Sequence, residues 1–141
     1  MSQLENHFKY CPYKSRKILL VDNERDLGWT MKKIMCDAGH KLIYASSFKE
    51  GVQKFKRLKN LDIAIIDLKL EDGDGLNFVR KARKVNGEVK FVMASAFGSP
   101  EVKVEAKQLG VCYFLDKPLE IEGLLNIINW DLYNAREFGN D

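Results

Sequence analysis

A chain of 141 residues with 45% hydrophobic and 30% charged residues has room for one globular core and none for a second full domain. Its net charge of +3, from 23 basic against 20 acidic residues, does not by itself imply a nucleic-acid partner, and no apolar run approaches the ~20 residues of a membrane span. Cys11, Cys36 and Cys112 are too few and too widely spaced for a zinc site or a disulfide framework, so they read as reduced thiols.

Met1 to Lys17 mixes charges with aromatics and has no apolar centre, which excludes a secretion signal and makes the cytoplasm the expected compartment. Residues 1–16 form an extension whose Phe8, Tyr10 and Tyr13 have no assigned role, residues 17–135 the folded domain, and residues 136–141 a tail or the start of a linker. From Lys17 onward, short apolar runs alternate five times with stretches of period near 3.6, the pattern of a parallel α/β sheet. The first run is Ile18 to Val21, followed by a helix with Leu27, Met31, Ile34, Met35 and Ala38 on one face and Gly39 at its end. Lys41 to Ala45 is the second strand, and Ser46 or Ser47 caps a helix that buries Phe48, Val52, Phe55 and Leu58. Ile63 to Ile66 is apolar enough to be central and covered on both faces. Asp74 or a neighbour opens the third helix, through Phe78, Ala82 and Val85, and Phe91 to Ala94 is the fourth strand. Ser99 followed by Pro100 fits a helix start before Val102, Ala106 and Leu109. Val111 to Leu115 is the fifth strand, and the last helix carries Ile121, Leu124, Leu125, Ile128 and Leu132 inward. Packing is the expected role of Trp29 and Trp130, and solvated helix faces explain the basic clusters Lys54, Lys56, Arg57, Lys59 and Arg80, Lys81, Arg83, Lys84.

In an open α/β sheet the functional crevice lies beyond the carboxyl ends of the strands. The residues that end the apolar runs are polar: Asp22, Asn23 and Glu24 after the first, Asp67 after the third, Ser95 after the fourth, Asp116 and Lys117 after the fifth. Oxygen donors from Asp22, Asn23 and Asp67 suit Mg²⁺, which binds few carboxylates and keeps several waters. Asp67 can then serve as a carboxylate nucleophile toward phosphorus, with Lys117 neutralising the transferring oxygens and Ser95 donating a hydrogen bond.

These residues carry a resemblance. Ile18-Leu19-Leu20-Val21-Asp22-Asn23-Glu24, Asp67-Leu68-Lys69-Leu70-Glu71 with Asp74-Gly75-Leu76, Ser95-Ala96 and Lys117-Pro118 together resemble the receiver domain of two-component response regulators, from about Lys17 to the last helix. The resemblance implies a flavodoxin-like fold, a doubly wound five-stranded parallel sheet of order 2-1-3-4-5 with helices on both faces. It implies that Asp67 accepts a phosphoryl group from a histidine kinase or phosphotransfer protein, that the Lys69 backbone carbonyl joins the Mg²⁺ shell, and that the Lys117-Pro118 bond is cis. It also implies a switch in which Ser95 moves toward the phosphoryl group and Phe114 turns inward, changing the face of the fourth helix, fifth strand and fifth helix toward a downstream partner or effector. Such a domain is regulatory, with at most self-phosphorylation from small donors and self-dephosphorylation. Neither nucleic acid nor membrane is an expected contact, while a homodimer stays open.

Three departures from the family pattern bear on the site. Asn23 stands where a second acid is usual, which lowers the expected affinity for Mg²⁺; Glu71 replaces a common proline; Phe114 lacks the hydroxyl of the commoner tyrosine. Lys69 and Phe97, two residues beyond Asp67 and Ser95, are expected to flank the phosphoryl group and obstruct attacking water. One alternative is a degenerate receiver that signals by contact alone. An aspartyl phosphohydrolase would need a second acid where Lys69 stands, and a flavin module a phosphate cradle where Asp22 and Glu24 stand.

Overall fold

A computed structural model of the chain describes residues 14–133. His7, Phe8, Tyr10, Cys11 and Tyr13, and the tail after Tyr133, lie outside the described residues. The five apolar runs form β1 (Lys17–Val21), β2 (Lys41–Ala45), β3 (Ile63–Asp67), β4 (Lys90–Ser95) and β5 (Val111–Asp116). They pair in parallel in the order β2-β1-β3-β4-β5, the flavodoxin-like order expected from the resemblance. The helices between them are α1 (Arg25–Asp37), α2 (Phe48–Arg57), α3 (Gly75–Val85), α4 (Pro100–Gln108) and α5 (Ile121–Asn129).

Successive strand residues point to opposite faces, so each strand feeds two cores. Ile18, Leu20, Ile63, Ile65 and Val92 pack under α1 and α5 through Met31, Met35, Leu124 and Ile128. Leu19, Val21, Ala64, Ile66, Phe91 and Met93 pack on the other side, under Phe55, Phe78, Val79 and Ala106. All four of Ile63 to Ile66 are fully buried, as a strand covered on both faces requires. The helix starts come from side chains that occupy orphan N–H groups: Ser47 accepts from Glu50 N, Asp74 from Leu76 N and Ser99 from Val102 N, with Pro100 in the first turn. None of the described helices is long and apolar enough to cross a membrane.

Between Asp67 and α3, Lys69–Leu70 pairs antiparallel with Gly73–Asp74. Three local expectations are corrected. The last helix stops at Asn129, and Leu132 reaches the core from the 3₁₀ turn Asp131–Tyr133. Trp29 is 78% exposed, because its neighbour Gly28 takes the inward position against Tyr44 and one residue along a helix is about 100° of rotation. Val85 is 53% exposed, because α3 ends there and Asn86 leaves in extended backbone.

At the amino ends of the strands, His40 is buried between the segment before β1 and the end of α5. Arg16 N donates to its Nδ1 at 2.9 Å, so Nε2 carries the proton and donates to Asn129 Oδ1 at 2.6 Å. Burial lowers the imidazole below its ordinary 6.5, helped by the charge of Arg16 and opposed by the Asn129 hydrogen bond and by Asp62. A folded-state value below the unfolded one means that the unfolded chain takes up the proton first. His40 therefore contributes stability that is present above its ordinary 6.5 and lost as pH falls through that value toward the lower folded one. Thermal unfolding scanned from about pH 7.5 to 5.5 should show this loss, and His40→Gln should flatten that part of the curve; an unchanged slope would rule the contribution out.

Candidate functional site

The strand register assembles the site. Val21 lies opposite Ile66 across β1 and β3, which brings Asp22 beside Asp67 just past the strand ends. Across β3 and β4 Asp67 faces Ala94, and across β4 and β5 Ser95 faces Asp116, one residue before Lys117. Because the chain passes to β2 on one side of β1 and to β3 on the other, the rim at β1 and β3 is the switch point where doubly wound sheets open a crevice.

Lys117 joins the two acids. Its Nζ lies 2.6 Å from Asp22 Oδ2 and 3.4 Å from Asp67 Oδ2. Asp22 is 1% exposed, and its other oxygen accepts from Glu24 N at 2.9 Å, so both oxygens are occupied. Among the described residues Asp67 Oδ1 accepts only a long bond from Lys69 N, 3.3 Å, which leaves it the more available carboxylate. Burial and then the charge of Asp22 raise the Asp67 carboxyl above its ordinary value, against the pull of Lys117 and the Lys69 N–H. Burial lowers the Lys117 ammonium, but the hydrogen bond and charge of Asp22 with the charge of Asp67 outweigh it and leave the group raised.

The other expected residues fall around this triad. Asn23 uses both ends of its amide, donating to Ser46 O and accepting from Glu71 N, each within 2.9 Å. An aspartate could not make the first bond, and the amide oxygen keeps one lone pair for a cation. Ser95 is buried, its hydroxyl oxygen accepts from Phe97 N at 3.0 Å, and its carbonyl accepts from Lys117 N. Lys69 and Phe97 meet: the ammonium lies 5.1 Å from the centre of the Phe97 ring, which is 72% exposed. Phe114 is half-buried, with its ring against the backbone of Gly98 and under the Lys103 ammonium. The Lys117-Pro118 peptide is cis.

Sequence reasoning missed two supports. The Tyr44 hydroxyl donates to the Asp22 carbonyl at 2.5 Å, and the Asp72 carboxylate accepts from Phe48 N and Lys49 N, capping α2 from the loop that follows Asp67. Each partner is more than 20 residues away along the chain, so no local pattern announces either bond.

Two carboxylates share one ammonium, which leaves the pocket an excess of negative charge. Among the described residues no cluster of three or more His, Cys, Asp or Glu side chains forms a closed metal cage. A hard divalent cation that keeps part of its water shell fits this donor chemistry; a caged transition metal does not.

The family model for the response regulator receiver domain matches residues 18–129. The chemotaxis protein CheY of Thermotoga maritima is 26% identical over 115 residues, 81% of this chain and 95% of its own. The transcriptional regulatory protein GlrR of Escherichia coli is 30% identical over 117 residues, 83% of this chain but 26% of its own length. A CheY-like receiver domain from Methanospirillum hungatei is similar in structure, with a TM-score of 0.77 and 27% identity over 82% of this chain and 91% of that one.

Proposed function

The chain belongs to the response regulator receiver domain family, and from that premise we propose that it is a phosphorylation-dependent switch with Asp67 as phosphoacceptor. The observation that carries the reading is the Lys117 ammonium held between Asp22 and Asp67 at the carboxyl ends of β1, β3 and β5. The donor is a histidine kinase or a histidine phosphotransfer protein. An Asp67 oxygen attacks phosphorus, the P–N bond of the phosphohistidine breaks, and an acyl phosphate forms. Lys117 stays paired with Asp22 while its remaining N–H bonds turn to the incoming oxygens, and the Ser95 hydroxyl donates to a third. Asp22, Asn23, Asp67 and the Lys69 carbonyl are the residues that would hold Mg²⁺, which supplies charge neutralisation for the phosphoryl oxygens.

The receiver unit is residues 17–135, acting in the cytoplasm. Its output surface is the face of α4, β5 and α5, where Phe114 sits beneath Lys103 of α4 and Val104 is 57% exposed. A protein partner or an effector reads that face, through which two copies could also pair. The domain itself makes no nucleic-acid contact.

The test is intact mass after incubation with acetyl phosphate and Mg²⁺, quenched quickly. One phosphoryl group should be gained by the wild type and none by Asp67→Asn. Equal gain in both proteins would overturn the assignment of Asp67, and no gain in either would favour a degenerate receiver.

The Lys69–Phe97 contact bears on how long the phosphoryl group lasts. An exposed cation–π pair is worth ~0.5–1 kcal/mol, which converts to a rate factor of about two to five if the pair must open before water attacks. The Lys69→Ala, Phe97→Ala double variant should lose its phosphoryl group faster by about that factor, read by the decay of the phosphorylated mass. A lifetime equal to that of the wild type would sink the idea of a cover over Asp67.

A further inference from the structure

The two basic clusters of the sequence do not remain separate solvated faces. Lys54 pairs with Glu50, Arg80 pairs with Glu105, and Arg83 donates to the Leu109 carbonyl. Lys56 of α2 and Lys81 and Lys84 of α3 are left exposed, and none of the three forms an ion pair within the described residues. They stand around one groove of about 320 Å³ between the two helices. Its floor is Phe55, Phe78 and Ala82, its walls are Val52 and Val85, and among the described residues no acidic side chain lines it.

Helix dipoles account for part of this. Lys56 and Lys84 lie in the last turns of α2 and α3, where a cation is favoured whatever else it does. That explanation leaves aside Lys81, whose ammonium lies 5.5 Å from the centre of the Phe48 ring at the head of the groove, and it does not explain why an apolar cleft opens between the lysines with Val85 53% exposed on its wall. Lysines around an apolar floor are complementary to an amphipathic acidic surface. A nucleic acid would find the charge but would have nothing to place on the floor of valine and phenylalanine. The volume lies at the small end of the ~300–1,000 Å³ of ligand pockets, enough for an anchoring side chain and not for a large cofactor.

We infer that the α2–α3 groove docks an acidic segment of a partner protein, one that inserts a large apolar side chain between flanking carboxylates. The surface is separate from the face of α4, β5 and α5, so the segment can bind while that face is engaged. The groove is also joined to the loop after Asp67. Asp72 caps α2, a side chain at Gly73 would run into the Phe48 ring, and Phe48 packs edge-on against Phe78 at 5.6 Å.

The experiment is an amide and methyl chemical-shift titration of the full chain with a synthetic amphipathic peptide carrying one phenylalanine between glutamates. The shifts should concentrate on Val52, Phe55, Ala82 and Val85, and binding should weaken at high salt. Lys56→Glu, Lys81→Glu and Lys84→Glu combined should weaken it by about tenfold or more, since each exposed charge contributes modestly and tenfold is 1.4 kcal/mol. Val85→Asp, which alters the wall rather than the rim charge, should weaken it as well. Phosphoryl uptake at Asp67, measured on the same variants, should be unchanged and shows that they are folded. Shifts centred elsewhere, undiminished binding by the triple variant, or a single-stranded oligonucleotide that displaces the peptide from the groove would each overturn the inference.

Discussion

Lys117→Met is expected to destabilise the fold by about 3 kcal/mol at neutral pH and to abolish phosphoryl uptake. The magnitude follows from what is left behind. Asp22 is 1% exposed and would lose an ammonium at 2.6 Å while still facing Asp67. Removing one partner of a buried pair costs ~3–5 kcal/mol because the remaining charge has neither water nor counterion, and Met fills the volume without supplying either. The Glu24 N–H is too small a compensation for a full charge. The loss should shrink on acidification, because protonating one carboxylate removes the charge that Lys117 had balanced. Here the folded variant binds the proton more tightly than the unfolded chain, so stability rises as pH falls. Denaturant unfolding near pH 7 and near pH 5 reads both effects. Adding Asp22→Asn to Lys117→Met should return most of the stability while uptake stays absent, which separates the ion pair from a packing defect at the lysine. A single variant as stable as the wild type at pH 7 would mean that the triad is not what holds Asp22 in the core.

Chain-order reasoning reached Asp22, Asp67 and Lys117 because each ends an apolar run, and a parallel sheet gathers such ends on one edge. The strands were legible for the same reason: both faces of Ile63 to Ile66 are covered, so the run is apolar without alternation. Ser99 was legible as a cap, and Ser47 and Asp74 as one of two neighbouring choices, because a cap and its helix are neighbours in sequence. Tyr44 and Asp72 were not. Their bonds to Asp22 O and to the start of α2 join segments that only the sheet order brings together. Trp29 and Val85 show a second limit, since hydrophobic type alone does not say which way a residue faces beside a buried glycine or at the last position of a helix. The groove between α2 and α3 shows a third, because two basic stretches become one rim only when the helices pack side by side.

Gly75→Ala is expected to impair both stability and phosphoryl uptake, although alanine is the better helix former. A methyl group at this position would lie 2.4 Å from the Asp67 carbonyl oxygen and 2.9 Å from Leu68 Cα. Both are backbone atoms, so no side-chain rotation can clear the overlap. Gly75 N also donates to Leu68 O at 2.7 Å, which means that α3 starts directly on the backbone that follows Asp67. The gain in helix propensity, ~1 kcal/mol, opposes an overpacking cost of ~1–3 kcal/mol, and the rigid neighbours place that cost at the upper end. A net loss of about 1–2 kcal/mol is expected. To regain ordinary contact the Asp67 peptide must move by something approaching 1 Å, and a misplacement of that size can cost a reacting group ~100-fold in rate. Gly87→Ala is the control, since its methyl would meet only the Arg83 carbonyl at 3.6 Å, an ordinary contact. Uptake from acetyl phosphate followed over time, with thermal unfolding of both variants, should show Gly75→Ala slow and destabilised and Gly87→Ala close to the wild type. If Gly75→Ala took up phosphate at the wild-type rate, the start of α3 would have to be free to shift without carrying Asp67, and the backbone contact between them would not be what positions the carboxylate.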